Sequence, residues 1–380
     1  MIVPENIAKG WLAKYGLAIP RGAVAHSLEE AVKIAQELNS SGVVKALIPT
    51  GGRGKAGGVV VCHSLEQVRQ AAADLLGAEL LGHKVTSLLV EELIPIAQEI
   101  YAGVVANTAT DQIDLILSLA GGVEIETTAQ RDKQSVFHIE IPPGDVLPNH
   151  RVRAWMRQGG IEAGFASMLA DVLVALYRAA ADLDALMLEV NPLAVDTNGK
   201  IILLDCKLEV DDNGLARQPA LMELYLDSLT DREHRARRLG VSYVPLDGDI
   251  AVITSGAGLG MATLDLLQQR GLAPANFLDT GGGISEEMVR GALELIMEPP
   301  QVRGAIINLY GGINRMLVAA KGIQAAVRNI PGSRPVVVKI LGNQQEEAWA
   351  LLDAEPDVHV IRVVQTETAV DRLADLLNAS

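Results

Sequence analysis

Apolar positions along this chain change period repeatedly, and each change marks a helix or a strand. Leu28, Ala31, Ile34, Ala35 and Leu38 recur at helical spacing behind Ser27, whose hydroxyl suits a helix N-cap. Residues 64–76 repeat that arrangement behind Ser64. Residues 5–14 form a further short helix ended by Gly16, and Pro20 leads into a strand at 23–25. Around these helices lie short apolar runs: a strand from Val43 that carries Lys45, then 58–61 and 85–90. Residues 98–104 and 113–120 continue as strands, and 151–158 and 168–183 as helices, the second apolar enough to be central.

Residues 188–195 and 201–207 read as two strands joined by the turn Asp196-Thr197-Asn198-Gly199-Lys200. A turn centred near Asn198 sets Asn191 opposite Asp205 and Glu189 opposite Lys207, and the two-residue period puts all four side chains on one face. The composition then changes at 230–245, a charged stretch followed by the turn-like Val244-Pro245-Leu246-Asp247-Gly248-Asp249, so a domain boundary is expected there. Beyond it, strand, glycine turn and helix recur. The turns are Ser255-Gly256-Ala257-Gly258, Thr280-Gly281-Gly282-Gly283 and Tyr310-Gly311-Gly312-Ile313-Asn314-Arg315, and strands follow at 335–341 and 358–364. Such alternation implies a parallel sheet of about five strands with right-handed crossovers, a flavodoxin-like domain that binds ligands at its carboxyl edge.

Composition narrows the function. With 380 residues, 49% of them hydrophobic, the chain can bury two or three domain cores. A formal net charge of −15 works against a nucleic-acid partner, which would need a basic face. Cys62 and Cys206 lie in apolar runs without metal-ligand spacing and read as buried thiols of a reducing compartment. The first residues lack a basic segment followed by an apolar one, and no uncharged apolar run is long enough to span a bilayer, so a cytoplasmic protein without a membrane role is expected.

The strongest chemical signal is at 43–58, where the strand bearing Lys45 opens into a loop with five glycines in the eight positions 51–58, among them Arg53 and Lys55. Glycines let backbone N–H groups approach an anion and the cations neutralise it, which is phosphate chemistry. It is not a Walker A loop, because Lys55 is followed by Ala56 where Ser or Thr is required. Glu91, Glu92 and Glu99 at strand ends face the same cleft or are solvated edge charges. Asn191 and Asp205 supply hard oxygens suited to Mg²⁺; the alternative is a cross-strand polar pair with Lys207 as counter-ion. Gly256 and Gly258 imitate a dinucleotide fingerprint, but its third glycine falls on Met261, which argues against NAD.

The segments at 43–58, Gly121-Gly122-Val123-Glu124-Ile125-Glu126, LEVNPL from Leu188, LLDCK from Leu203, PANFLDTGGG from Pro274 and GGINR from Gly311 are together similar to the β-subunit family of succinyl-CoA synthetase, in register over nearly the whole chain. The resemblance implies an α/β chain with an N-terminal ATP-grasp domain over 1–235 and a flavodoxin-like, parallel-sheet CoA-ligase domain over 236–380. It implies an acid–thiol ligase, active only with an α subunit that binds CoA and carries a phosphorylated histidine. On the same basis Lys45, Gly52, Arg53, Gly54, Glu91 and Glu99 would hold ATP or ADP, Asn191 and Asp205 would hold Mg²⁺, and Glu189 would meet the partner's histidine. Ser255, Gly312, Ile313 and Asn314 would lie at the acid-binding end. Three departures stand out: Ser255 replaces the family's Asn, Pro49-Thr50 precede Gly51-Gly52 in place of His-Ala, and Ile340-Leu341-Gly342-Asn343-Gln344 lacks the family's glutamate. Asn314 before Arg315 resembles the malate–CoA ligase branch, and Pro20 resembles ATP-using rather than GTP-using members. None of the seven histidines lies in a glycine-rich loop able to carry a phosphate between sites, so the chain alone is expected to be inactive. A stand-alone ATP-grasp ligase and a non-catalytic nucleotide sensor remain the competing classes.

Overall fold

The computed structural model describes residues 1–121 and 136–379, so all of the GGVEIE segment after Gly121 lies outside the described residues. The chain forms two compact units, Met1–Glu223 and Leu224–Ser380. The division falls ahead of the boundary expected after residue 235. Helix Asp231–Leu239 belongs to the second unit, where Leu239 packs so closely on Gly291 that a Cβ there would stand 2.6 Å from a Leu239 methyl.

In the first unit, a four-stranded antiparallel sheet runs in the order Gly22–Ala25, Leu88–Glu91, Gly42–Ala46, Val59–Cys62. Helices Leu28–Glu37 and Leu65–Leu75 bury Ala31, Ala35, Val68 and Ala72 against it. Their starts follow the expected chemistry, because the Ser27 and Ser64 hydroxyls accept from Glu30 N and Gln67 N. A larger antiparallel sheet runs Ile2–Val3, Cys206–Val210, Ala185–Asp196, Ile96–Asn107, Gln112–Ser118, Val136–Ile141, with Ile201–Leu203 also paired to Ala185–Asp196. Helix Ala163–Asp182 is long and apolar enough to cross a membrane, but it carries Asp171 and Arg178 and buries Leu169, Leu173 and Leu176 inside the protein.

The hairpin register is the expected one: Leu193 pairs with Leu203, and Glu189 with Lys207. Its second strand is interrupted, ending at Leu203 and resuming at Cys206. The gap falls where the Leu204 carbonyl turns toward the ammonium groups of Lys9 and Lys45.

The second unit is a six-stranded sheet ordered Ser242–Pro245, Asn276–Asp279, Ile250–Thr254, Gly304–Arg315, Val336–Asn343, Val358–Ile361. All neighbours are parallel except Ser242–Pro245, an antiparallel edge strand that takes in the first two residues of the turn expected at 244–249. Pro245 is tolerated there because an edge strand leaves one side of its backbone unpaired. The five parallel strands follow the doubly wound order 2-1-3-4-5. Both faces are covered, with Ala251 and Ile253 in one core cluster and Ile250 and Val252 in the other. The expected turn after Leu309 is instead the end of a long strand, which runs to Arg315 with a register shift between Gly311 and Arg315.

Candidate active site

A cavity of about 630 Å³ opens in the first unit between the glycine loop and the hairpin. The loop contributes Gly51, Gly52, Arg53, Gly54 and Lys55, and the hairpin contributes Glu189, Asn191, Asp205 and Lys207. All four residues that the hairpin register placed on one face therefore line it, and Glu99 joins them from strand Ile96–Asn107. Gly52 takes φ +79°, a conformation that side chains resist, and a Cβ at Gly58 would stand 2.5 Å from Leu80. Those constraints close the loop, with Gly58 N donating to Arg53 O at 2.8 Å. Across the cavity, Lys207 lies against Gly51, where a Cβ would meet its Cδ at 3.7 Å.

Lys45 and Glu91 do not line the cavity; they lie buried beside it in a cluster of charges. Lys45 Nζ meets Glu5 Oε1 and Glu91 Oε2, each at 2.8 Å, and donates to the Leu204 carbonyl at 2.5 Å. Lys9 Nζ meets Glu5 Oε1 at 2.8 Å and Glu91 Oε1 at 2.6 Å, and donates to the same carbonyl at 2.6 Å. Arg53 bridges Glu5 Oε2 at 2.7 Å and Asp205 Oδ1 at 2.9 Å. Three carboxylates thus face three cations, and the cluster is formally neutral.

Burial alone would raise the Glu5 carboxyl, but Lys45, Lys9 and Arg53 outweigh it and hold the group well below the usual carboxylate range. Burial likewise opposes the charge on Lys45, and Glu5 and Glu91 overcome it to hold the ammonium above the ordinary lysine value. Asp205 goes the other way. Burial and the neighbouring Glu5 charge push it up to about 6, against the pull of Lys45 and Arg53. Arg53 is shared, and Glu5, with a side chain 1% exposed, competes for it against Asp205, which is 29% exposed toward the cavity. Tyr101 is pushed up to about 12 by burial and by the charge of Glu189. The Cys206 thiol, which also lines the cavity, is raised by burial.

Asn191 and Asp205 stand side by side, the Asn191 N–H donating to the Asp205 carbonyl at 3.2 Å. An amide oxygen and a carboxylate at a cavity wall form a hard donor pair that fits Mg²⁺ with water and phosphate completing its shell. Sequence reasoning missed Glu5 and Lys9. The signal available was a Glu and a Lys four apart on a short helix, which reads as a solvated surface pair. It also missed Asp114, His138 and Glu140, whose ligand atoms lie within 4.8 Å of one another on neighbouring strands away from the cavity lining.

The acid-end residues lie in the second unit. Ser255 Oγ accepts from Tyr310 N at 3.0 Å and donates to Tyr310 O at 3.2 Å, tying the ends of strands Ile250–Thr254 and Gly304–Arg315. The Asn314 side-chain oxygen accepts from Ile284 N at 3.4 Å, and Gly312 is exposed. Asp279 Oδ1 accepts from Gly256 N at 2.6 Å and Gly281 N at 2.8 Å, so a carboxylate of the chain already holds two N–H groups of the glycine turns. For Ile313 the backbone alone is described, within the long strand.

The family model described as ATP-grasp domain matches residues 3–195, and the one described as CoA-ligase matches 253–366. The chain is 41% identical over 357 residues to the GDP-forming succinate–CoA ligase subunit beta of Thermus thermophilus, covering 94% of each. It is 38% identical over 386 residues to the ADP-forming succinate–CoA ligase subunit beta of Geobacillus kaustophilus, covering 99% of this chain and 100% of that one. The solved ATP citrate lyase from Methanothrix soehngenii, in complex with citrate and coenzyme A, superposes with a TM-score of 0.76 over 100% of this chain and 99% of that chain. At 18% identity this is a likeness of fold.

The raised Asp205 carboxyl sets a pH dependence. Because its value in the fold lies above its ordinary 3.8, its contribution to stability is complete below that value and is lost as pH rises through about 6. Metal ligation needs the ionised form and runs the opposite way. Titration calorimetry with MgADP should show affinity weakening below about pH 6 more steeply than in Asp205→Asn, which keeps only the titration of the nucleotide phosphate. A wild-type profile no steeper than that of the variant from about pH 5 to pH 8 would contradict the assignment.

Proposed function

The chain belongs to the family of succinate–CoA ligase β subunits, and from that premise we propose that its cavity binds ATP with Mg²⁺ and passes the γ-phosphoryl group to a histidine supplied by an α subunit. The phosphohistidine then activates a dicarboxylic acid as its acyl phosphate, which CoA, held mainly by the α subunit, captures as the thioester. The carrying observation is the convergence of glycine loop, Arg53, Asn191, Asp205 and Glu189 on one cavity. None of the seven histidines lines that cavity, which supports an acceptor arriving from outside the chain.

In this reading the bond from the γ-phosphorus to ADP breaks as a phosphorus–nitrogen bond forms on the incoming imidazole. Such transfer depends on positioning and charge neutralisation more than on covalent help from the protein. Gly52, Arg53 and Gly54 hold the phosphates, Lys45 and Glu91 stand next to them in the nucleotide-free cluster, and Glu99 contacts the nucleotide from the facing strand. Asn191 and Asp205 would hold Mg²⁺, which would neutralise charge on the nucleotide phosphates. Glu189 accepts the imidazole N–H and orients the ring, a role for which its place on the cavity wall fits. The nucleotide base is adenine on this account, following Pro20, and two buried free thiols accord with a cytoplasmic enzyme.

The test is transfer of label from γ-labelled ATP to the histidine of an added α subunit. Transfer should require both chains, should be faster with ATP than GTP, and should fall about tenfold to a hundredfold in Glu189→Gln with MgADP still bound. Turnover by the chain alone would favour a stand-alone ligase. Nucleotide binding with no transfer in either case would favour a sensor.

One observation favours a hydroxy acid as substrate beside succinate. Helix Met316–Asn329 has no side-chain cap, so Asn314 is not serving as the cap of its own helix, and its amide lies at the carboxyl edge of the sheet. The Asn314 oxygen already accepts from Ile284 N, so the amide N–H groups are what would meet a substrate hydroxyl and discriminate against an acid that lacks one. With the α subunit present, malate should be accepted alongside succinate, and Asn314→Val should shift the kcat/KM ratio toward succinate by about tenfold or more. An unchanged ratio would return succinate as the sole reading.

A further inference from the structure

Lys9 and Lys45 have the same set of partners. Each ammonium meets Glu5 Oε1, a Glu91 oxygen and the Leu204 carbonyl, all between 2.5 and 2.8 Å. An ammonium has three N–H groups, so three such acceptors saturate it. Both residues are buried, Lys9 2% and Lys45 5% exposed. Two like charges gathered on Glu5 Oε1 and the Leu204 carbonyl repel each other, and because they meet opposite oxygens of Glu91, either lysine alone would keep a contact to each of the three residues.

We propose that Lys9 is a positioning residue, a standing counter-ion that frees Lys45 to turn from the buried cluster to a nucleotide phosphate. If Lys45 withdraws, Lys9 still holds Glu5 Oε1, Glu91 Oε1 and the Leu204 carbonyl, while Glu5 Oε2 stays on Arg53. No buried carboxylate is left wholly unpaired, and the peptide before Asp205 keeps its anchor. Without Lys9, withdrawal of Lys45 would strand Glu91 inside the protein, where an unpaired charge is strongly disfavoured.

The proposal rests on the nucleotide reading of the cavity, and calorimetry with MgADP separates the two. Wild type should bind; failure there would remove the nucleotide reading itself. A folded Lys9→Met chain should bind about tenfold or more weakly, because Lys45 has to remain as the counter-ion, while Lys9→Arg keeps the charge and most of the affinity. A crystal structure of the wild type with MgADP gives a second readout that needs no variant. Lys45 Nζ should be within hydrogen-bond reach of a phosphate oxygen, with all three Lys9 contacts retained. Wild-type affinity in folded Lys9→Met, or Lys45 unmoved in the MgADP-bound wild type, would overturn the proposal. Should Lys9→Met fail to fold, the bound structure decides alone.

Discussion

The first unit depends on a buried contact among Glu5, Lys9, Lys45, Arg53, Glu91 and Asp205. Removing such charges from water costs several kcal/mol for each ion, and only mutual pairing with good geometry offsets it. Each buried charge therefore has to keep at least one partner of opposite sign. Glu5 occupies the centre, reaching Lys9 and Lys45 through one oxygen and Arg53 through the other. Because the members come from helix Glu5–Lys14, strands Gly42–Ala46 and Leu88–Glu91, the glycine loop and the hairpin gap, the pairing ties five separate parts of the chain to one point.

Glu5, Arg53 and Asp205 bring that point to the cavity wall, and its consequences pass outward through Arg53 and the Leu204–Asp205 peptide. Arg53 is both the cluster's edge and part of the glycine loop that lines the cavity. Leu204, held by two ammonium groups, interrupts its strand and presents Asp205 next to Asn191. The raised Asp205 carboxyl follows from the same arrangement, since the cations serve Glu5 first. A metal ion arriving with nucleotide would supply the charge that this carboxylate lacks.

Much of this was legible in residue order. Turn chemistry and alternation set the hairpin register, because a two-residue period leaves little freedom once the turn is fixed, and Ser27 and Ser64 marked their helices through hydroxyls that satisfy first-turn N–H groups. Alternating strands and glycine turns likewise indicated the parallel sheet. What escaped was long-range. Glu5 and Lys9 are an ordinary i, i+4 pair until strands from residues 42 and 88 arrive over them, so local periodicity carries no trace of their burial. Val244 and Pro245 looked like the start of a turn for the same reason: their strand character comes from pairing with Asn276–Asp279. The run after Leu309 looked like a turn because its glycines suit one, while its pairing with Val336–Asn343 keeps it extended as far as Gly311.

The central claim is that Glu5 holds the site together from within. Equilibrium urea unfolding of the chain, followed through Trp11 on the same helix with Trp155 and Trp349 replaced by Phe, tests it directly. Glu5→Gln leaves Lys9, Lys45 and Arg53 without their common partner and should lower the unfolding free energy by about 3–5 kcal/mol. A loss below about 1 kcal/mol, the range of an exposed ion pair, would contradict the account.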